Sequence, residues 1–201
     1  MKLLAFTDIH GSLTALKRIE QKVKSETPDI LVCAGDISIF EHGIAGILRR
    51  LNKLNKKIIM VHGNHEDAST YSKYSRIFKN IIFIHKNHFI ENNILFLGYG
   101  GGGFSQRDKE FEQFAKTRFK DIINHNKNKK IILITHAPPY GTKVDKLGRN
   151  YAGNKSIRKF IENNSIDLHI CGHLHENFGK EDKIGKIKVI NPSPFGKIVE
   201  I

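Results

Sequence analysis

Five short apolar runs in this chain each end in the same way, and that repetition limits the folds open to it more than any other feature. Lys2 to Phe6 runs into Asp8 and His10 within Thr7-Asp8-Ile9-His10-Gly11, and Asp29 to Cys33 runs into Asp36 after Ala34-Gly35. Ile58 to Val61 leads to Asn64 and His65 in His62-Gly63-Asn64-His65-Glu66. Ile131 to Thr135 leads to His136 ahead of Ala137-Pro138-Pro139, and Asp167 to Cys171 leads to His173 and His175 in Gly172-His173-Leu174-His175. Runs of this length bounded by turn residues read as buried strands. Each delivers an acid, amide or imidazole at its C-terminal end, the edge at which open α/β sheets bind ligands.

Helical patterns fill the intervals. Leu13 to Lys24 carries apolar residues at 13, 16, 19 and 23, and Ile44 to Leu54 places Ile44, Ile47, Leu48, Leu51 and Leu54 on one stripe. A charged helix is expected over about Arg107 to Asn126, and another running to about Glu162 with Asn154 as its N-cap. Further strands are expected at Ile81 to Ile84 and Ile94 to Gly98, and Phe178 to Ile201 reads as antiparallel strands. Strands alternating with helices predict an α/β fold. No repeat, low-complexity tract or composition break interrupts it, so residues 1 to 201 read as a single domain.

Composition excludes several classes. The longest apolar runs are far short of the ~20 residues a membrane span requires, and Asp8 cuts off the apolar start before it can act as a signal peptide. Two cysteines, Cys33 and Cys171, make no disulfide framework, so the expectation is a soluble cytoplasmic protein. The net charge of +13 comes from 33 Lys and Arg against 20 Asp and Glu, but 25 of the 33 are Lys. Nucleic-acid readers favour Arg for bidentate contacts. Lys53, Lys56 and Lys57 precede one strand and Lys127, Lys129 and Lys130 another, which puts them opposite the polar edge. A nucleic-acid partner is therefore an alternative and not the favoured reading.

Taken singly, each polar residue has an ordinary explanation as a turn, cap or structural histidine. Jointly they do not. Two carboxylates, an amide and four imidazoles suit borderline divalent ions, whereas a pure Mg or Ca site would be mostly oxygen. Seven ligands are too many for one ion with an open position and fit two, and paired ions about 3.5–4 Å apart clamp the attacking and leaving oxygens of an in-line displacement at phosphorus.

The ordered set Asp-x-His, Gly-Asp, Gly-Asn-His-Glu, a lone His before Ala-Pro-Pro, and Gly-His-x-His, spanning Asp8 to His175, resembles the calcineurin-like metallophosphoesterase superfamily. The resemblance implies a four-layer α-β-β-α sandwich of two mixed sheets flanked by helices, with the C-terminal strands in the second sheet. It implies that Asp8, His10 and His175 hold one metal, that Asn64, His136 and His173 hold the other, and that Asp36 bridges them. It assigns His65 to the general acid that protonates the leaving oxygen, beside Asn64 at the substrate, while water shared by the ions attacks phosphorus. The implied cofactors are two divalent ions, Mn first, with Fe, Zn, Ni or Co as alternatives.

The chain also departs from parts of that superfamily. Protein phosphatases continue Gly-Asp with a second Asp and an Arg; here the stretch reads Gly35-Asp36-Ile37-Ser38-Ile39-Phe40, and the group that would orient His65 is missing. The favoured reading is a phosphodiesterase on small or nucleotide-like substrates. Its alternatives are a phosphomonoesterase, a nuclease and a metal-binding interaction scaffold. Gly98 to Gly103 lacks the Lys of a P-loop and reads as a rim loop. Pro138 to Gly153 is either a substrate cap or a surface loop, Asn191-Pro192-Ser193-Pro194 a tight turn, and His42 an unsupported substrate contact. His62, His85, His88, His125 and His169 read as structural or solvent-facing. Nothing marks a dimer face, so the oligomeric state stays open.

Overall fold

Leu3 and Ala5 leave the first strand on one side, Leu4 and Phe6 on the other, and all four are fully buried. A strand apolar on both faces needs a layer on each side. The computed structural model describes residues 1–201 and supplies those layers. The first half builds β1 (Lys2–Phe6), α1 (Leu13–Glu26), β2 (Ile30–Cys33), α2 (Ile44–Asn52), β3 (Ile58–Met60), α3 (Ala68–Ser75) and β4 (Ile81–Phe83). The second builds β5 (Asn87–Glu91), β6 (Ile94–Tyr99), α4 (Lys109–Phe114), a π-helical segment (Ala115–Phe119), α5 (Lys120–His125) and β7 (Lys130–Thr135). There follow β8 (Lys146–Leu147), β9 (Asn150–Tyr151), α6 (Lys155–Glu162), β10 (Leu168–Ile170), a 3₁₀ turn (His175–Asn177), β11 (Glu181–Ile184), β12 (Ile187–Ile190) and β13 (Lys197–Glu200).

One sheet has the order β13-β1-β2-β3-β4 and the other β11-β12-β10-β7-β6-β5. Strands β1 to β4 run parallel, in registers such as Leu4 opposite Leu31 and Val32 opposite Ile59. Strands β6, β7, β10 and β12 are likewise parallel, while antiparallel β5 and β11 close the two edges. Alternate residues divide among three cores. Leu4, Phe6, Leu31 and Met60 pack with the first helices, Leu95, Leu133 and Val189 with the later ones, and Leu3, Val32, Ile59, Phe96 and Ile134 fill the space between the sheets. This is the α-β-β-α layering the motifs implied.

Helix starts are chemically marked: Ser12 Oγ accepts from the Ala15 nitrogen, Asp108 from Phe111, and Asn154 from Ile157. The expected helix from Arg107 to Asn126 is in fact α4, a π-helical segment and α5, entered two residues later at Lys109 because Asp108 caps it. Helix α3, strand β5 and the β8–β9 hairpin leave no mark in the sequence pattern. Helix α3 has only Tyr71 buried, so it carries no apolar stripe, and β5 has the weakly apolar sequence Asn-His-Phe-Ile-Glu. The C-terminal strands also correct the expectation that they all join the second sheet: β11 and β12 do, but β13 crosses over and pairs antiparallel with β1. The carbonyl of Met1 accepts from the Ile201 nitrogen at that edge. No helix is long and apolar enough to cross a membrane.

Candidate metal centre

The loops that leave β1, β2, β3, β7 and β10 meet at one edge, and backbone bonds knit them before any side chain is considered. The amides of Asp8, His10 and Gly11 donate to the carbonyls of Gly35, Asp36 and Ile37 at 2.8–3.0 Å, and Gly172 donates to His136 at 2.9 Å. Four of the polar residues sit in the left-handed region: Asp8 (φ 51°), His10 (47°), Asp36 (52°) and His173 (71°). Left-handed non-glycine residues cost about 1–3 kcal/mol each and persist where the surroundings over-determine them. Glycines make room. A Cβ at Gly63 would lie 2.7 Å from the Asp36 nitrogen and inside its carboxylate, and one at Gly172 would come within 2.5 Å of Asp8 Oδ2.

Three groups of ligand-bearing side chains result, each with its ligand atoms within 4.8 Å of one another: Asp8, His10 and His175; His10, Asp36 and His65; Asp8, Asp36 and His136. His10 Nε2 faces His175 Nε2 at 3.1 Å, with Asp8 Oδ1 at 3.7 and 3.4 Å from them. His136 Nε2 lies 3.0 Å from Asn64 Oδ1 and 3.2 Å from Asp36 Oδ2. The rings of His136 and His173 are 5.2 Å apart, and His173 Nε2 is buried without a partner. Backbone carbonyls fix two of the tautomers. His10 Nδ1–H points at Ser38 O and His136 Nδ1–H at Ala34 O, so both Nε2 atoms turn into the site, where a bound ion would take the place of the proton. A nest of facing acceptors with an orphaned imidazole nitrogen fits divalent cations.

The electrostatics agree. Burial works against a charge on Asp8, yet the facing imidazoles of His10 and His175, the charge of His136 and a hydrogen bond from the Thr7 hydroxyl hold its carboxyl far below the ordinary range. Asp36 is likewise lowered, its burial outweighed by the His136 hydrogen bond and charge and by the His65 amide. Burial opposes protonation of His136, but Asp36 and Asp8 together raise it to about 9, whereas burial and the neighbouring His136 depress His173 to about 4. Two buried carboxylates remain ionised, and a cation is what balances them.

His65 lies at the edge of this cluster. Its amide donates to Asp36 Oδ1 at 2.9 Å and its Nε2 is 4.0 Å from Asp36 Oδ2. Its Nδ1 is buried with no partner, so no carboxylate orients it. Packing does so instead, between the rings of His10 (centroids 4.9 Å apart, edge-on) and Phe40 (4.7 Å). All eight polar residues picked out by the motifs thus come to one edge. His42 is exposed and joins none of the groups, and His125 pairs with Asp121 at the surface. His169 is buried in the outer core, and His85 accepts from the Gly100 amide.

Two structural residues were overlooked. Glu66, buried, accepts from the amides of Asp36, Ser38 and Gly63 and from the Ser38 hydroxyl, tying the Asp36 loop to the Asn64 loop. The Glu of Gly-Asn-His-Glu was its only trace in the sequence. Asp145 does the same for Pro138 to Gly153, accepting from Gly141, Thr142 and Gly153. That loop carries the β8–β9 hairpin, and its Leu147 lines a cavity with Asp36, Asn64, His65, His173 and His175. It is a wall of the site. Asn191 Nδ2 also reaches the Leu174 carbonyl between the two paired histidines, so the Asn-Pro-Ser-Pro turn braces the site as well as turning the chain.

The family model described as calcineurin-like phosphoesterase matches residues 1–177. A Methanocaldococcus jannaschii protein, "Uncharacterized protein MJ1162", is 37% identical over 96% of this chain and 88% of its own length. TT1561 of Thermus thermophilus superposes with a TM-score of 0.76 at 18% identity, over 96% of this chain and 89% of that one. A dimetal phosphatase from Danio rerio superposes at 0.66 and 13% identity, over 94% and 86%. The strand-edge cluster and the two-sheet sandwich are those of a metallophosphoesterase. The chain belongs to the calcineurin-like phosphoesterase family.

Proposed function

We propose that this chain is a dinuclear-metal-dependent phosphoester hydrolase acting on small or nucleotide-like phosphodiesters. The observation that carries the reading is a single oxygen, Asp36 Oδ2, which lies 3.2 Å from His136 Nε2 and 3.9 and 4.0 Å from those of His10 and His65, so that Asp36 belongs to two of the ligand groups. That position would let Asp36 serve both ions. Asp8, His10 and His175 would hold one ion and Asn64, His136 and His173 the second, with Asp36 between them. When bound, two divalent ions supply Lewis acidity and ionise water near neutral pH. Mn is the metal to load first, since a mixed oxygen and imidazole set suits it.

The chain's own residues do the rest. Asp8 and Asp36 offset much of the charge of two divalent ions and leave the site cationic toward a phosphoester. His65, fixed by Phe40 and His10, presents Nε2 from the Asp36 side and gives its proton to the leaving oxygen, a role worth about 10²–10⁴ in rate. Lys53, Lys56, Lys127 and Lys129 belong to the opposite strand ends, so these lysine clusters supply no track into the site for a polymer. The diester preference is the finer part of the reading, because the dimetal phosphatase of the same fold shows that the sandwich alone does not choose.

The test is hydrolysis of bis(p-nitrophenyl) phosphate beside p-nitrophenyl phosphate by chelated protein reloaded with Mn. Diester turnover that requires Mn and drops at least a hundredfold in His65→Ala is the expected result. Faster monoester turnover would make the protein a phosphatase. Failure to cleave either ester with Mn, Fe, Co, Ni or Zn would end the hydrolase reading.

A further inference from the structure

Two phenylalanines beside the metal centre are exposed to a degree the core does not explain. Phe40 is 70% and Phe104 67% exposed, the highest values among the large apolar side chains. Neither is loose. Phe40 rests on the His65 ring with centroids 4.7 Å apart, and Phe104 rests edge-on against His173 at 4.4 Å. Each aromatic ring therefore has one side on an imidazole of the site and the rest open to solvent.

The cavities they line are adjoining. One of about 260 Å³ holds Phe40 with Asn64 and His65, and another of about 260 Å³ holds Phe104 and Leu147 with Asp36, Asn64 and His65. Asn64 and His65 are common to both. The cleft thus runs from one exposed ring, across the acid histidine and a candidate metal ligand, to the other. A phosphomonoester has one organic substituent on phosphorus and needs one such wall. A phosphodiester has two, diverging from a tetrahedral phosphorus.

We infer that Phe40 and Phe104 are the two jaws of a substrate clamp, each stacking a planar substituent, a nucleobase or an aryl ring, of a phosphodiester whose phosphorus lies over the metal centre. The inference rests on the phosphoester reading and narrows its substrate class. Base-on-aromatic stacking is tolerant of base identity, so the clamp selects for flat rings and not for one base. Exposed phenylalanines are kept here despite the apolar surface they leave in water because the substrate covers them.

The experiment is calorimetry on Mn-loaded protein with adenosine 5′-monophosphate and ribose 5-phosphate, which share a phosphate and a sugar and differ in the flat ring. Wild type should bind the adenosine ligand about tenfold more tightly, the low end of what one stacked base contributes. At least one of Phe40→Ala and Phe104→Ala should erase that preference while the ribose 5-phosphate affinity and Mn stoichiometry stay at wild-type values, and a Tyr at that position should restore it. A second arm uses bis(p-nitrophenyl) phosphate, for which each Ala variant should raise KM about tenfold and Tyr should again restore it. Equal affinities for the two ligands in wild type, or a preference that survives both substitutions, would overturn the clamp and leave the hydrolase reading standing. Absence of binding by both ligands, together with no turnover of either p-nitrophenyl ester, would overturn the phosphoester reading and the clamp with it.

Discussion

A single methyl group at residue 63 should unmake the metal centre. Gly63 does not occupy the left-handed region, so an alanine there meets no backbone penalty and the substitution tests space alone. Its Cβ would fall inside the Asp36 carboxylate and 2.7 Å from the Asp36 backbone nitrogen. The carboxylate must then swing away from the His65 amide that holds it at 2.9 Å and from His136 Nε2 at 3.2 Å. Hydrogen bonds to charged groups contribute about 1.5–3 kcal/mol each, so losing two costs about 3 kcal/mol or more. In a chain of this size 1 kcal/mol is about 2–4 °C of Tm, which predicts a fall of about 6–12 °C. Metal uptake should fall with it, because the carboxylate that must swing away carries Oδ2, the oxygen that faces both clusters. Gly46→Ala, where nothing lies within 4 Å of the new methyl group, is the control. It sits in α2 and should stabilise by about 0.5–1 kcal/mol. Thermal melts with and without Mn, beside metal analysis, decide the matter. Gly63→Ala protein that keeps the wild-type Tm and Mn content would refute the argument that this glycine exists to admit Asp36.

Glu66→Gln replaces two of the acceptor sites that serve four donors with an NH₂ group, so about 2 kcal/mol or more is lost, seen as a Tm drop of about 4–8 °C; an unchanged melt would show that Glu66 does not brace the loops. Adding Mn to chelated protein at a hundred times its Kd should stabilise it by about 2.7 kcal/mol, or about 5–11 °C, and Asp36→Asn should abolish most of that shift; an equal shift in the variant would remove Asp36 from the ligand set. The buried ring of His169 is depressed to about 3 by loss of solvent. Thr135 spends its hydroxyl proton on the Ala137 carbonyl, so His169 Nε2–H donates to Thr135 Oγ1 and Nδ1 has no partner. The unfolded chain takes up a proton near pH 6.5 and the folded one does not, so this contribution is whole above pH 6.5 and is lost as pH falls toward 3. The slope is about 1.4 kcal/mol per pH unit for one such group. Urea midpoints between pH 7 and 4 should fall less steeply in His169→Leu, and parallel curves would contradict the assignment.

The elements legible in the sequence were those whose sheet position left a one-dimensional mark. β1, β2, β3, β7 and β10 are covered on both faces and read as apolar runs, interrupted in β10 only by His169, while α1, α2 and α6 carry stripes because one face meets a sheet. What escaped was marginal or non-local. α3 buries one side chain, β5 is an edge strand with Asn, His and Glu in it, and the transfer of β13 to the first sheet is a matter of which edge lay open. The Pro138 to Gly153 loop was ambiguous for the same reason: its role depends on Asp145 gathering amides that lie up to eight residues away.

The order of polar residues behind the strands determined by itself the α/β class, the edge at which chemistry would occur and the residues available for it, because strand and helix periods and the placement of polar residues at strand ends are properties of short segments. The tertiary structure alone decided how those residues act together. That Asp36 Oδ2 faces both clusters, that His10 and His136 turn their Nε2 atoms inward, that Glu66 spans two loops, and that His65 is held by Phe40 and His10 in place of a carboxylate are relations between residues 25 to 165 positions apart in the chain. Only the packing of two sheets around their shared core fixes such distances, and the backbone strain at Asp8, His10, Asp36 and His173 records what that packing imposes.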